Sequence, residues 1–400
     1  MTHRVLIIAT MDTKGKETMF LKECLEGEGL GVVVMDAGIR GQSPFPVDIS
    51  RDRVAEAAGS TLGQVQNIGH EGEALDVMIT GAIRCSGPLY ERGEIEGVVE
   101  IGGSMGTTLG TAVMRTFPIG FPKVMISTMA SKNTRPFVGT KDILMLHSVC
   151  DLSGLNRITR KVIREGGLAL AGMVKGIKKN VSETSPLVAL STLGTTEACA
   201  LRVRKDFEKR GREVITFHTV GSGGEAMDEL IRDEDVEMVV DLSLHEIGDN
   251  LFGGDYDAGP RRGLAALEKG VPTVLVPGNT DFLVTGPLAV AEQRFPGRRL
   301  HVHNAAITTA ATAPEEMKAI ANRISDICGK AKGPASVLIP MGGFSAFDSP
   351  GGPLEAPEIR RIFSETLQAN LPAGIRCVES QAHINDPEFA ASILEAIDSF

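Results

Sequence analysis

Short apolar runs that end in glycine- and hydroxyl-rich loops, each followed by a stretch with helical periodicity, recur along the chain of 400 residues. This alternation is typical of βαβ units, in which helices cover both faces of a parallel sheet. The first half contains five candidate strands: Arg4–Ala9, Gly31–Asp36, Gly97–Ile101, Lys123–Ser127 and Ile143–His147. The second half contains six: Leu187–Ser191, Glu213–Phe217, Glu237–Asp241, Thr273–Val276, Arg299–His303 and Ser336–Pro340.

The two sets of strands correspond in order. The matching pairs are Ile8–Thr13 with Leu190–Thr195, Val98–Ile101 with Val239–Leu242, Pro122–Ile126 with Pro272–Val276, and Leu146–Ser148 with Val302–Asn304. Four matches in one order indicate an internal duplication. We therefore expect an α/β fold of two Rossmann-like lobes with parallel sheets, spanning residues 1–180 and 186–400, with the boundary in Lys178–Pro186.

The first lobe is longer than the second between its second and third strands. The spacing of the matched motifs indicates about 40 extra residues there, roughly 41–93, with helical periodicity near Val54–Leu62 and Leu75–Leu89. A lid, a dimer arm and a helical insertion on the surface all fit this pattern.

The overall charge argues against nucleic acid as a partner. The formal net charge is −10, there is no Trp, and there are only two Tyr, so neither a basic face nor a stacking platform is expected. None of the six Cys forms a C-x-x-C pair, which fits buried thiols in a reducing cytosol rather than a zinc or redox site. No signal peptide or membrane span is recognisable, and we predict a cytoplasmic protein.

The segment Gly102-Gly103-Ser104-Met105-Gly106-Thr107-Thr108 is the strongest candidate for a binding loop. It follows a predicted strand and precedes a helical stretch, and in open parallel sheets ligands bind beyond the carboxyl ends of the strands. Glycines let the backbone approach an anion closely, and the helix start offers unpaired N–H groups with a positive dipole end. A strand-to-helix turn without a ligand is the alternative.

Two further hydroxyl-rich segments occupy equivalent places after the first strand of each lobe. Thr10, Asp12 and Thr13 in the first lobe fit a phosphate site or, through Asp12, a Mg²⁺ site. Thr192, Gly194 and Thr195 occupy the corresponding positions in the second lobe. Ordinary capping of the following helices explains both segments equally well.

Three other loops are weaker candidates. Gly221, Gly223 and Gly224 belong to a G-x-G-x-x-A pattern with Asp241 twenty residues beyond it, which matches a dinucleotide fingerprint, although it follows the second strand of its lobe rather than the first. A loop after a first-lobe strand is rich in small and hydroxyl residues: Ser127, Thr128, Met129, Ala130 and Ser131. A glycine loop ending in Arg261 and Arg262 offers a cation for phosphate.

Candidate catalytic groups are few. His303 sits at a predicted strand end, and together with Glu246 and Asp12 it is a candidate for acid–base work, with a hydrogen-bonded structural role as the alternative. The sequence contains no G-x-S-x-G elbow, no Walker A loop and no H-E-x-x-H motif, so the common serine hydrolase, P-loop and zincin classes are not supported.

Taken in order, these loops resemble one protein family, which supplies the N-terminal ATP-binding domain of the tomato mosaic virus resistance protein. The likeness spans essentially the whole chain and is carried by Ile101–Ser104 with Gly106 and Thr107, Met125–Ser131, Asp151–Asn156, Gly253–Gly254 with Ala258–Pro260, Val302–Asn304, and Gly343–Asp348. The resemblance implies two Rossmann-like lobes, ATP binding and a homo-oligomer, with a dimer favoured.

The leading hypothesis is therefore an ATP-binding protein that holds phosphates at strand-end loops in a cleft between the lobes, with or without Mg²⁺. A metabolic enzyme acting on a small carboxylate or acyl-phosphate is the first alternative, with His303, Asp12 or Glu246 in acid–base roles. A NAD-linked oxidoreductase, based on the Gly221 loop and Asp241, is the second. A purely structural interaction protein explains the concentration of polar strand-end loops less well.

Overall fold

A computed structural model describes residues 3–176 and 185–400. The chain divides into two compact units, Met1–Ser182 and Glu183–Phe400. Most of the segment in which the sequence places the boundary, Lys178–Pro186, lies outside the described residues.

The N-terminal unit is a doubly wound sheet with helices on both faces. Its strands are β1 (Arg4–Ala9), β2 (Gly31–Asp36), β3 (Val98–Gly102), β4 (Lys123–Ser127) and β5 (Leu144–His147). Its helices are α1 (Met11–Gly27), α2 (Arg51–Ala57), α3 (Leu62–Gln66), α4 (Glu71–Glu91), α5 (Ser104–Met114), α6 (Arg135–Val138) and α7 (Arg157–Gly176). All neighbouring strands pair in parallel, in the order β2-β1-β3-β4-β5.

The central strands of this sheet are buried on both faces, which is why they appear in the sequence as continuous apolar runs. Leu6 and Val98 pack in the core cluster under α4 and α5, whereas Val5 and Val99 pack on the opposite face with α1 and α7. Successive residues of a strand point to opposite faces, so each strand contributes to both clusters.

The segment between β2 and β3 is part of this core rather than an addition to its surface. Val54, Val65 and Met78, from α2, α3 and α4, are fully buried and pack with the β1 residues Leu6 and Ile8. Helices α2 and α4 also approach very closely, because a Cβ atom on Gly81 would lie 1.9 Å from the carbonyl oxygen of Val54.

The C-terminal unit repeats this architecture. Its strands are β6 (Leu187–Thr192), β7 (Glu213–His218), β8 (Val236–Ser243), β9 (Thr273–Gly278), β10 (Phe282–Thr285), β11 (Leu300–Asn304), β12 (Ile307–Ala311), β13 (Ala335–Pro340) and β14 (Arg376–Ser380). Its α-helices are α8 (Glu197–Lys209), α9 (Ser222–Asp233), α10 (His245–Phe252), α11 (Leu264–Lys269), α12 (Leu288–Arg294), α13 (Pro314–Cys328), α14 (Pro357–Asn370) and α15 (Pro387–Asp398).

The larger sheet of this unit is parallel, in the order β7-β6-β8-β9-β13-β14. Its first five strands reproduce the order of the N-terminal sheet. The structure therefore confirms the expected α/β fold of two Rossmann-like lobes with related topology.

One of the predicted correspondences is wrong. The strand containing His303, β11, does not match β5 with His147, because β11 belongs to a separate antiparallel sheet of order β10-β12-β11. The strand equivalent to β5 is β13, which pairs with β9 and is buried along its whole length. In contrast, β11 has three exposed residues out of five, which is the burial expected of an edge strand.

Candidate functional site

The polar loops of the N-terminal unit gather where the strand order reverses. Strand β1 lies between β2 and β3, so the connections after β1 and β3 run to opposite faces of the sheet and leave a crevice at its carboxyl edge. A cavity of about 320 Å³ opens at this position, and residues from both loops line it: Thr10, Asp12, Thr13 and Lys14 after β1, and Gly103, Ser104, Met105 and Gly106 after β3.

Two helices begin at this cavity. Helix α1 starts at Met11 directly after Thr10, and α5 starts at Ser104 directly after Gly103; neither Thr10 nor Gly103 caps its helix with a side chain. The first N–H groups of a helix have no partner within the helix, and its N-terminus carries a partial positive charge. In α1 the first amide, that of Met11, donates to Asp36 Oδ1 at 3.2 Å, so a carboxylate of the protein already occupies part of that helix start. The start of α5 therefore supplies the backbone donors at this cavity that favour a negatively charged ligand.

The glycines of the β3 loop are needed for a close turn. A Cβ atom on Gly102 would lie 2.8 Å from the Cα atom of Gly106, so a side chain at Gly102 would push the first turn of α5 away from the strand. Gly103 and Ser104 follow at the edge of the cavity, where Ser104 is exposed.

The two threonines after this loop have different places. Thr107 is buried and donates to the Gly103 carbonyl oxygen at 2.6 Å, and its hydroxyl also contacts that of Ser127. Thr108 is exposed on α5 and lies outside the cavity lining.

The loop after β1 is held in place by local hydrogen bonds. The hydroxyl oxygens of Thr10 and Thr13 are 3.1 Å apart, and Asp12 Oδ2 accepts from the Gly41 amide at 2.9 Å. The ammonium group of Lys14 donates to the carbonyl oxygen of Leu152. These contacts fix the loop while leaving hydroxyl and carboxylate oxygens at the cavity surface.

The opposite wall of the cavity is apolar and comes from residues that sequence reasoning did not single out. Helices α3 and α4 and the loop after β2 contribute Ala37, Ile39, Val65, Ile68, Ala74 and Leu75. Helical periodicity in this segment was visible, but it does not reveal which face meets the end of a distant strand.

Gln66 belongs to the same wall and has a fixed orientation. Its Nε2 atom donates to the carbonyl oxygen of Ile39 at 2.7 Å and, more weakly, to that of Arg40 at 3.4 Å. Only the amide nitrogen can donate to a carbonyl, so these contacts determine which way the side-chain amide faces.

Glu100, on β3 beneath α5, is a second residue that the sequence analysis missed. Its carboxyl group is fully buried, and neither of its oxygens has a hydrogen-bond partner. Burial raises the pKa of Glu100 well above its ordinary value. A Cβ atom on Gly110 would lie 2.0 Å from Glu100 Oε2, so this glycine makes room for the carboxyl group under the helix.

The loop after β4 does not reach the cavity. Ser127 is buried and accepts from the Met129 amide at 2.9 Å, and the Thr128 amide donates to the Gly102 carbonyl oxygen. None of the five predicted residues of this loop lines the cavity: Ser127, Thr128, Met129, Ala130 and Ser131.

In the C-terminal unit, the glycine loop that matches a dinucleotide fingerprint binds a carboxylate of the protein, that of Glu246. The amides of Gly221 and Gly224 donate to Glu246 Oε1 at 2.7 and 3.2 Å. A Cβ atom on Gly224 would lie 1.9 Å from Glu246 Oε2, and one on Gly223 would lie 1.8 Å from the carbonyl oxygen of His218. Close internal packing explains these glycines.

The other half of the supposed dinucleotide fingerprint is also engaged. Asp241 and Glu246 are both buried and both bind the buried guanidinium of Arg262, which therefore does not reach out as a phosphate ligand. Burial raises the pKa of the neighbouring Asp228 to about 6, although the Arg262 charge opposes this shift. The expected roles of the Gly221 loop and Asp241 in NAD binding, of Arg262 toward phosphate, and of Glu246 as an accessible acid–base group do not fit this buried cluster.

A second cavity, of about 410 Å³, lies within the C-terminal unit. Gly194 and Thr195 line it, as does His303, whereas Thr192 is buried beneath it and contacts Thr196 through its hydroxyl group. Three of the lining residues are therefore ones that the sequence marks as candidates. The aromatic ones, Tyr256, Phe282 and Phe347, are not among those candidates.

His245 starts α10 close to this second cavity. Its Nε2 atom is 2.6 Å from the carbonyl oxygen of Thr219, to which it donates, and its Nδ1 atom has no partner. Burial lowers the pKa of His245 to about 4, and the ring packs edge-on against Tyr256. The imidazole is therefore neutral at physiological pH.

Residues 3–176 and 185–400 contain no group of three or more His, Cys, Asp or Glu side chains arranged to hold a metal ion. Nor does this part of the chain contain a helix with the length and apolar character that crossing a membrane requires.

Two solved structures show a remote likeness to this chain. MurG of Acinetobacter baumannii is 12% identical, with full coverage of both chains and a TM-score of 0.24. A UDP-N-acetylglucosamine 2-epimerase is 10% identical, with 69% of this chain and 79% of that chain covered and a TM-score of 0.24.

Sequence comparison identifies the family. Two models, described as the N-terminal and C-terminal domains of the uncharacterised protein family UPF0261, match residues 3–179 and 185–400. A UPF0261 protein of Clostridium tetani is 35% identical over 99% of this chain and 98% of its own length. The tomato protein named ToMV susceptible protein tm-1(GCR26) is 32% identical over 99% of this chain and 55% of its own length. The chain therefore belongs to the UPF0261 family.

Proposed function

We propose that the N-terminal unit binds a phosphorylated small molecule, ATP by preference, with its phosphates at the starts of α1 and α5. The observation that carries the proposal is that the uncapped N-terminus of α5 borders a cavity, together with the hydroxyl-rich start of α1, at the reversal point of a parallel sheet. Backbone amides and helix dipoles at such a point suit an anion, and the adjacent Thr10, Thr13 and Ser104 hydroxyls add further donors.

The apolar wall supports a nucleotide rather than free phosphate. Ile39, Ile68 and Leu75 form a surface against which a flat base can pack. Gln66 uses its amide nitrogen on the backbone, so its Oε1 atom is left to accept from a ligand amino group. A cavity with a donor-rich end and an apolar wall matches a molecule that is charged at one end and heterocyclic at the other.

A Mg²⁺ ion would enter with the nucleotide. The Asp12 carboxylate and the Thr10 and Thr13 hydroxyls are hard oxygen ligands of the kind that Mg²⁺ prefers, and Mg²⁺ commonly takes one protein carboxylate together with phosphate oxygens. Bound there, the ion would neutralise phosphate charge. A cytoplasmic location and a dimeric state remain part of this proposal.

The NAD-linked alternative has lost its basis, because the Gly221 loop and Asp241 are both occupied by internal contacts. The alternative of an enzyme for small carboxylates concerns the cavity of the C-terminal unit instead.

Calorimetric titration of the purified protein with ATP, ADP, AMP and adenosine, each with and without Mg²⁺, tests the proposal. We expect heat for the phosphorylated ligands and little for adenosine. Ser104→Glu places a carboxylate at the first turn of α5, where it competes with phosphate. Ser104→Gln introduces a side chain of the same size as glutamate but without its charge. ATP binding should therefore weaken strongly in the first variant and mildly in the second. Absence of binding by the wild-type protein at millimolar nucleotide refutes the proposal.

A further inference from the structure

Two sheets of the C-terminal unit contribute to the lining of its cavity. Leu193, Gly194 and Thr195 follow β6, and His218 ends the neighbouring strand β7, so the floor lies at the carboxyl edge of the parallel sheet. The antiparallel sheet supplies the remaining wall: Phe282 and Val284 from β10, His303 from β11, and Ile307 and Thr309 from β12. Carboxyl edges of parallel strands are where open α/β sheets bind ligands.

One side of this cavity is suited to a flat apolar group. Tyr256, Phe282 and Phe347 line it, and the Phe282 and Phe347 ring centroids are 5.6 Å apart with the rings tilted by 51°. Leu193 and Ile307 pack in the same cluster. Aromatic walls of this kind favour planar ligands through offset or edge-on contacts.

The polar groups on the lining favour a ligand that accepts hydrogen bonds. His218 and His303 are the basic side chains of the lining, and the lining contains no carboxylate. A cationic ligand would therefore lack a counter-charge, whereas an anion meets two imidazoles.

Thr195 adds a directed donor. Its hydroxyl oxygen accepts from the side-chain amide of Asn279, which leaves its proton free for the cavity. The amide of Asn279 is held in turn by Ser243, whose hydroxyl group contacts Asn279 Oδ1 at 2.8 Å. The position of the Thr195 hydroxyl is thus set by buried neighbours before any ligand arrives.

This cavity does not repeat the phosphate-type arrangement of the N-terminal unit. At the reversal point of the C-terminal sheet, α10 begins with His245 and Glu246, which are both buried, so this helix start offers no amides to the cavity. The lining holds two imidazoles, the hydroxyl groups of Thr195, Tyr256 and Thr309, and Gly194 after β6, and the rest of it is apolar. That apolar surface gives little to the charge of a polyphosphate. A single carboxylate on an apolar body is the better match.

We propose that this cavity is a second small-molecule site, specific for a monoanionic organic acid with a flat apolar body. The acid's carboxylate would lie between His218, His303 and the Thr195 hydroxyl, and its body would lie against Phe282 and Phe347. The site is independent of nucleotide binding in the N-terminal unit.

Calorimetric titration of the full-length protein with benzoate, benzamide and acetate tests this assignment. Benzamide keeps the ring and loses the charge, whereas acetate keeps the charge and loses the ring. Because hydrogen bonds to an ionised group are roughly twice as strong as neutral ones, we expect benzoate to bind about tenfold more tightly than benzamide. Acetate should be weaker than benzoate as well. No binding of benzoate at millimolar concentration, or equal binding of benzamide, overturns the proposal.

Variants locate the binding. His218→Gln and His303→Gln should each weaken benzoate several-fold, whereas His147→Gln, at an exposed strand end of the N-terminal unit, should leave it unchanged. Ser104→Glu should also leave benzoate binding intact, which separates this site from the nucleotide proposal. If benzoate binds but neither cavity histidine affects it, the site is assigned wrongly. Circular dichroism of each variant establishes that it is folded.

Discussion

The guanidinium group of Arg262 forms two parallel hydrogen bonds with the carboxylate of Asp241, at 2.6 and 2.7 Å, and both side chains are almost completely buried. Glu246 binds the remaining Nε atom at 2.6 Å. A single cation therefore binds two carboxylates and joins β8 to the starts of α9 and α10. This cluster occupies the glycine loop that otherwise resembles a cofactor site.

Arg262→Met should destabilise the C-terminal unit strongly. It leaves Asp241 and Glu246 buried without a counter-charge, and breaking a buried ion pair from one side typically costs about 3–5 kcal/mol. Urea unfolding followed by circular dichroism measures the loss. Arg261→Met is the matched control, because Arg261 is exposed and its pair with Glu268 should contribute no more than about 1 kcal/mol. Similar losses in both variants would contradict this account.

Gly110→Ala should destabilise the N-terminal unit, although alanine is the better helix former. The new methyl group would meet Glu100 Oε2 at 2.0 Å, and overpacking of this kind costs about 1–3 kcal/mol. Gly172→Ala in α7 is the control, because nothing lies within 4 Å of its Cβ position, and it should stabilise the helix by about 0.5–1 kcal/mol. In thermal unfolding, Gly110→Ala should lower the melting temperature and Gly172→Ala should raise it.

Glu100→Gln should change how stability depends on pH. The pKa of Glu100 is raised on folding, so above the ordinary Glu pKa of about 4.5 the unfolded chain releases this proton while the folded chain retains it. The wild-type protein therefore loses stability as pH rises through this range, and the variant lacks that contribution. The free energy of unfolding of the variant should therefore rise relative to that of the wild-type protein between pH 4 and pH 8. Glu23→Gln removes a carboxylate from an exposed position on α1 and controls for the lost charge. A constant difference across this range excludes the assignment.

His245→Gln should change how the free energy of unfolding depends on pH below neutrality. The wild-type protein should lose stability there as pH falls, whereas at Glu100 it loses stability as pH rises. The pKa of His245 falls from 6.5 to about 4 on folding, so between these values the unfolded chain takes up a proton that the folded chain refuses. The wild-type protein should lose about 3 kcal/mol from this group as pH falls through that window, at 1.36 kcal/mol per pKa unit. Glutamine retains a donor for the Thr219 carbonyl oxygen and does not titrate. His70 is exposed, and His70→Gln should leave the loss of stability at low pH as it is in the wild-type protein.

Nucleotide should stabilise the N-terminal unit in proportion to its occupancy. At a free concentration 100 times the dissociation constant, a single site contributes about 2.7 kcal/mol. Hydrogen exchange should then slow at the first turns of α1 and α5 and in α3, whose residues line the cavity. Protection confined to the C-terminal unit would place the site elsewhere.

The sequence was most informative where strands are buried on both faces. β1, β2 and β4 were predicted with their observed bounds. In β1 and β4 the reason is burial, because a strand covered on both sides has to be apolar throughout. β2 is an edge strand and is only half buried, but it is still an unbroken apolar run from Val32 to Met35. Strands β10 and β12 were missed, since Phe282–Thr285 is only four residues long and Ile307–Ala311 is weakly apolar, and each forms through antiparallel pairing with its neighbour.

The candidate site could be predicted only in part. Thr10, Gly103 and Ser104 are local features of strand ends, so chain order alone places them at one edge of the sheet. The apolar wall from Ile39 to Leu75 depends on how helices pack, and the capture of Glu246 by the Gly221 loop joins residues 25 positions apart. Such pairings are tertiary, and the local pattern of glycines looks the same whether a ligand or a protein carboxylate fills the loop.

Helices α3 and α4 help to bury β1, and with the turn between them they also furnish the face that a bound base would contact. Substitutions along their cavity-facing side can therefore alter which heterocycle is accepted while the strand-end donors continue to receive its phosphates. Ligand preference within UPF0261 would then drift through a segment far from the glycine motif by which the family is recognised.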